Sequence, residues 1–248
     1  MRKAAVVLLL VLLAGCSGSP PPPAFTEARA LADAATAATT SGGSAKFTTD
    51  VAVGQVRSKG QGQARFGAGG TSQVMTTDFI GEPMELRLVA GKLYAKVPEG
   101  SRDEVGAGKP WVAVAADGTD PFSQVLGGSL AQLAAQNDPA HTLGEIRTAG
   151  SIVSSERTDL SGVAAEHYRV ELDLSRLGAD LPAGLPADSA GRLGKFPVEI
   201  WLDDSHRPLQ VVLDLSPILQ GGEARITTRY SEWGVPVDVQ PPPAGEVG

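Results

Sequence analysis

Polar and apolar residues alternate with a period of two along most of this chain. Side chains of a β-strand point to opposite faces in turn, so this alternation predicts strands with one buried face. The apolar positions define segments at 47–53, 84–88, 93–97, 168–174, 196–202, 209–215 and 224–230, and Trp111 begins a further short strand. A succession of strands that each have a single apolar face is typical of an antiparallel sheet covered on one side.

Three segments carry helical signals. Thr26 is positioned to cap a helix that runs to about Thr40 with an alanine-rich face. Asp120-Pro121 is typical of a helix start, and the segment 120–136 has an amphipathic stripe. Asp138-Pro139 begins a shorter helix. The expected fold class is therefore α+β, a curved antiparallel half-barrel sheet with helices packed in its concave side.

The N-terminus has the parts of a secretory signal. Arg2 and Lys3 precede an unbroken apolar run at 4–13, and small residues lead directly to Cys16. The run is too short to span a bilayer, which requires about 20 apolar residues. The ending Leu-Ala-Gly-Cys resembles the bacterial lipobox, in which the cysteine is acylated and becomes the new N-terminus. We therefore expect an exported protein held at the outer face of the cell membrane by lipid on Cys16.

Cys16 is the sole cysteine, so the sequence contains no disulfide and no thiolate metal site. Four prolines at 20–23 predict a short extended stalk. The predicted organisation is a signal peptide at 1–15, a lipidated stalk at 16–24, one domain at 25–238 and a disordered tail at 239–248.

The charge of the chain excludes some partners. Its 248 residues have a formal net charge of −7, and removal of Arg2 and Lys3 from the 21 basic residues leaves 19 against 28 acidic ones. Nucleic acids and anionic lipid headgroups both attract clustered lysine and arginine. We therefore expect neither nucleic-acid binding nor electrostatic docking on a membrane.

A search for catalytic and metal-binding patterns finds none. The three histidines are scattered without a zinc-binding spacing. Ser129 lies in a helical stripe rather than at a nucleophile elbow. Asp203 and Asp204 belong to a polar segment that predicts a hairpin turn. His167 is expected at an exposed strand position rather than at a ligand contact. The chain is accordingly predicted not to be an enzyme, and no cofactor or metal is expected.

The lipobox, the curved-sheet pattern and the segments 162–170, 197–203 and 230–234, taken in order, resemble the actinobacterial LppX/LprA/LprF/LprG-type lipoproteins and their LolA-like relatives. The resemblance covers nearly the whole mature chain. It implies a half-barrel that encloses an apolar cavity for acyl chains, and binding or transfer of acylated lipids or glycolipids of the cell envelope. It carries over no catalytic residue.

The candidates for lining this cavity are apolar residues of the sheet's inner face and of the 120–136 helix. They are Met84, Leu86, Leu88, Phe122, Leu126, Leu130, Val198, Ile200, Leu202, Val211 and Leu213. Periodicity alone does not distinguish a hollow interior from a filled core. The alternative function is a protein-interaction or sensor module of the RseB type with the same fold, and an envelope transporter or another protein is then a partner.

Overall fold

The computed structural model describes residues 22–67, 69–79, 82–115, 123, 128, 134–177, 194–217 and 222–248. This part of the chain contains eleven strands in one sheet. The strands are β1 Ser44–Val53, β2 Val56–Arg65, β3 Ser72–Phe79, β4 Glu82–Val89, β5 Lys92–Lys96, β6 Trp111–Val114, β7 Gly150–Leu160, β8 Val163–Asp173, β9 Lys195–Leu202, β10 Pro208–Asp214 and β11 Ala224–Ser231. Its helices include α1 Ala28–Gly42, α2 Arg102–Val105 and α3 Pro139–Ala149, with 3-10 turns at Glu99–Ser101, Leu174–Arg176 and Ala244–Glu246.

All neighbouring strands pair antiparallel, in the order β6-β5-β4-β3-β2-β1-β11-β10-β9-β8-β7. Most strands pair with their neighbours in sequence. The exception is β1, which pairs with β11 near the C-terminus and so joins the two halves of the sheet. The sheet is open, with β6 and β7 at its edges. The predicted α+β class with a curved antiparallel half-barrel is confirmed.

Two tight turns join neighbouring strands of the sheet. Ala90 and Gly91 join β4 to β5 with φ values of 51° and 74°, and two consecutive positive values match the twist of a tight hairpin. Between β9 and β10, the Asp203 carboxylate accepts hydrogen bonds from the backbone N–H groups of Ser205 and Arg207. Asp203 thus stabilises a polar turn, as predicted.

Helices α1 and α3 pack against each other and against the apolar face of β1, β7 and β8. Helix α3 begins as predicted, because Asp138 accepts a hydrogen bond from the N–H of Ala140 and Pro139 occupies the first turn. Helix α1 begins at Ala28, after Glu27, and the predicted cap at Thr26 is wrong. Its buried face includes Leu31 and three alanines, which allows the close approach of α3.

Strands β2, β3 and β7 have no counterpart among the predicted strands. The inner face of β2 consists of Ser58, Gly60, Gly62 and Ala64, so no apolar alternation marks it. Strand β7 is an edge strand with most of its side chains exposed. Because most of its side chains face water, no apolar alternation marks this strand either.

Residues 239–248, for which the sequence predicts a disordered tail, belong to a C-terminal segment that contacts the sheet. Residues 235–248 form a strap that crosses the outer face from β1 to β6. Arg65 and Arg87 donate to the carbonyl oxygens of Val237 and Gln240 at 3.3 and 3.2 Å. The N–H of Gly248 donates to the carbonyl of Trp111 at 2.8 Å. Val239 is 4% exposed, and burial of its apolar side chain further stabilises the strap.

The signal segment, Cys16 and prolines 20 and 21 lie outside the described residues, as does nearly all of the 120–136 segment. Among the helices that are described, none is long and apolar enough to cross a membrane.

Candidate functional site

The candidate site is the apolar inner face of the sheet, which α1 and α3 partly cover. Eight of the predicted lining residues are described, and all eight lie on this face. Seven are buried, with exposed fractions of 6% or less, and Leu88 is half-buried against the core. Phe122, Leu126 and Leu130 lie outside the described residues.

The described lining residues form two patches within a single hydrophobic core cluster. Met84, Leu86 and Leu88 belong to β4, whereas the other five belong to the adjacent strands β9 and β10. Strands β3, β2, β1 and β11 lie between β4 and β10. At about 4.8 Å per strand step, the patches are about 24 Å apart along the sheet. The sequence thus identified the inner face, while the structure shows how widely its apolar side chains extend.

A buried polar cluster, absent from the sequence predictions, lies between the patches. The side chain of Asn137 accepts a hydrogen bond from the Thr49 hydroxyl and contacts the Met75 sulfur at 3.2 Å. The Thr49 and Thr228 hydroxyls are 3.4 Å apart. The Tyr230 hydroxyl donates to the carbonyl of Asn137 at 3.3 Å, and burial raises the pKa of Tyr230 well above its ordinary value.

This cluster fixes the turn that precedes α3 to the centre of the sheet. Asn137 is 0% exposed, so its amide depends on protein partners. Gln73 adds a second attachment, since its Nε2 donates to the carbonyl of Ala134 at 2.6 Å. The signal in the sequence was the presence of Thr49 and Thr228 at inward positions of otherwise apolar strand faces.

Helix α3 carries an ionisable group into the interior. Glu145 is 6% exposed, and burial raises the pKa of its carboxyl from 4.5 to about 7. Its Oε1 lies 3.4 Å from Nε2 of His141, one turn earlier on the same helix, and makes no hydrogen bond. The nearby Arg147 is paired with Asp33 of α1 at 2.8 Å. A buried carboxyl without a hydrogen bond favours its neutral form.

The prediction that His167 is exposed is wrong. Its side chain is on the outer face but only 5% of the residue is exposed, because the ring stacks on Trp201 with 4.0 Å between centroids. The ring nitrogens face Glu156 at 3.2 Å and Glu199 at 2.9 Å. Three strands contribute this cluster, and the described residues contain no group of three or more potential metal ligands suitably placed. On the outer face, His167 therefore packs against Trp201 and lies within hydrogen-bonding distance of two glutamates.

Comparisons with known proteins show the fold. No family model matches the chain, and no curated protein matches its sequence. The lipoprotein LppX of Mycobacterium tuberculosis is 16% identical, with a TM-score of 0.52 over 86% of this chain and 98% of that chain. LprF of Mycobacterium bovis is 15% identical, with a TM-score of 0.47 over 87% and 96%. MucB of Pseudomonas aeruginosa, solved with MucA, is 14% identical, with a TM-score of 0.42 over 87% and 61%.

The likeness to LppX agrees with the resemblance that the sequence motifs indicated. The chain has the LppX-type fold, in which a wide, unclosed antiparallel sheet curves around helices.

Proposed function

We propose that this chain is an exported, membrane-anchored lipoprotein that binds acyl chains of envelope lipids against the inner face of its sheet. The observation that carries the proposal is the extent of that face, where apolar side chains line both halves of an eleven-stranded open sheet. The protein acts by binding and transfer of lipid rather than by catalysis.

The proposed affinity has a simple physical source. Each methylene of an acyl chain that leaves water contributes about 0.8 kcal/mol. Contacts with Leu, Ile, Val and Met side chains are non-directional, so the site selects for chain length and bulk rather than for one lipid. The polar cluster around Asn137 provides the amide and hydroxyl groups nearest to the centre of the inner face.

The first test is extraction of the purified protein with organic solvent, followed by mass spectrometry. We expect acylated lipids in amounts comparable to the protein. A protein that purifies without lipid, and takes up none from mixed vesicles of envelope lipids, would favour the alternative of a protein-binding regulator.

A pair of substitutions on β4 tests where the lipid lies. Leu88 points inward and Val89 points outward, and both are partly buried. Leu88→Asn should weaken binding of a fluorescent fatty acid about fivefold, because half of a leucine's burial contributes about 1 kcal/mol. Val89→Asn makes a comparable apolar-to-polar change on the opposite face and should leave the affinity unchanged. Equal losses in the two variants would contradict an inner-face site.

The anchor has its own test. Acylation of Cys16 with two or more chains is sufficient for stable membrane attachment. In cells, Cys16→Ser should move the protein from the membrane fraction to the soluble exported fraction. Metabolic labelling with a radioactive fatty acid should be lost in the same variant. Retention of both label and membrane attachment in Cys16→Ser would place the anchor elsewhere.

A further inference from the structure

The outer face of the sheet, opposite the proposed lipid site, contains a long groove over β1, β2 and β3 that is lined mainly by polar residues. Two adjoining cavities of about 540 and 450 Å³ form it. Both are lined by Thr48, Gln61 and Thr76. These three residues are cross-strand neighbours, since Thr48 pairs with Gln61 and Gln61 pairs with Thr76. We call these connected cavities the outer groove.

The groove lies where β2 carries glycine on its inner face. Phe47 and Met75 occupy the space that side chains at Gly60 and Gly62 would fill. The backbone of β2 is paired on both sides, with β1 and β3. A ligand in the outer groove therefore cannot add to the sheet as another strand, and must be recognised by side chains.

Hydrogen-bonding groups without protein partners are concentrated at the centre of the outer groove. The side chains of Thr48, Gln61 and Thr76 are exposed and make no hydrogen bond to another described residue. Neighbouring strands are about 4.8 Å apart, so this row presents hydroxyl, amide and hydroxyl groups in sequence. A pyranose ring with hydroxyls on opposite sides can bridge adjacent members of such a row.

Most charges around the outer groove are paired within the protein, and the exception among the described lining residues is the carboxylate of Asp78 at one end. Asp50 lies 2.7 Å from Arg229 and 3.9 Å from Lys59. Lys46 lies 2.7 Å from Glu232. Because these pairs largely cancel and Asp78 adds a single negative charge at one end, the outer groove has no positive field to attract an anion. Its chemistry suits a neutral ligand with many hydroxyls.

We infer that the outer groove binds a neutral glycan through Thr48, Gln61 and Thr76, independently of lipid on the opposite face. The site is open to solvent, so an affinity in the range of about 0.1–1 mM is expected for a short oligosaccharide.

The test is calorimetric or NMR titration of the purified protein with cellotriose and with mannotriose. We expect saturable binding of at least one of them. Thr76→Ala should weaken it several-fold and Gln61→Ala/Thr76→Ala about tenfold or more, because each lost hydrogen bond contributes about 1 kcal/mol. Thr158→Ala is the matched control, a threonine on the same face at the distant edge strand β7, and should not change binding.

Three results would overturn the inference. They are absence of saturable binding of either trisaccharide at concentrations on the order of 10 mM, equal binding by the double variant, and stronger binding of an uncharged Gly-Ser-rich peptide than of both sugars. Unchanged thermal unfolding of the variants confirms that the substitutions affect the site alone. Leu88→Asn should retain trisaccharide binding, which separates this inference from the proposal about lipid.

Discussion

Gly62→Ala should destabilise the protein by about 2–3 kcal/mol, the cost of inserting a methyl group into a packed interior that cannot move aside. A Cβ at this position would lie 2.3 Å from the carbonyl oxygen of Val74, 2.6 Å from the Phe47 ring and 2.9 Å from Cβ of Met75. The carbonyl belongs to the backbone of a paired strand, so relief requires separation of β2 and β3. Urea unfolding followed by tryptophan fluorescence measures the change.

Gly60→Ala is the matched control for this substitution. It lies on the same strand and faces the same side, but the closest atom to its Cβ, at 2.8 Å, is the terminal methyl of Met75. That methyl is the end of a flexible side chain and can rotate away. We expect the free energy of unfolding to fall by less than about 1 kcal/mol. Both substitutions replace a glycine by alanine, so both reduce the entropy of the unfolded chain by the same amount. Equal stability of the two variants would show that β2 has room to move.

Glu145→Gln should raise the free energy of unfolding at pH 8 by about 3 kcal/mol and leave it almost unchanged at pH 4. The folded protein holds the proton of Glu145 up to a pKa of about 7, whereas the ordinary value is 4.5. Stability is therefore highest while both states are protonated, below pH 4.5. It falls as the pH rises to 7, at about 1.4 kcal/mol per pH unit, and is constant above that pH.

Urea unfolding of the wild type and Glu145→Gln at several pH values between 4 and 8 measures this dependence. Glutamine has nearly the same shape and cannot ionise, so its curve should lack the decline between pH 4.5 and 7. His141→Gln is the control, because Nε2 of His141 lies 3.4 Å from the Glu145 carboxylate while the His141 side chain is 42% exposed. The decline should persist in that variant. Its loss in His141→Gln, rather than in Glu145→Gln, would assign the effect to the histidine.

Where one face of a strand is apolar and the other polar, the sequence predicts the strand and its orientation correctly. Strands β4, β9 and β10 illustrate this, because each predicted inward residue that the structure describes is on the inner face. A one-residue shift would expose the whole apolar set, so the pattern specifies the orientation strongly. The same reasoning fails for β2, whose inner positions include two glycines that leave no periodic signal.

Contacts between segments that are distant in sequence account for the other differences between the predictions and the structure. His167 and Trp201 are 34 positions apart, and only the pairing of β8 with β9 places one ring over the other. Asn137 is a buried partner for Thr49, 88 positions away. The strap at 235–248 has the proline-rich composition of a disordered tail, yet side chains of β2 and β4 bind its carbonyl groups. None of these partners is visible in the local pattern of either segment.

The sequence by itself determined the α+β class, the inward faces of the apolar strands and the lipobox that predicts lipidation of Cys16, because each depends on neighbouring residues and their period. The tertiary structure decided the strand order, the separation of the lining residues into two patches, the burial of Glu145 and His167, and the outer groove. These features depend on which strands pair and in what register. Strand pairing and register depend on packing across the whole chain, because the contacts that stabilise them join residues far apart in sequence.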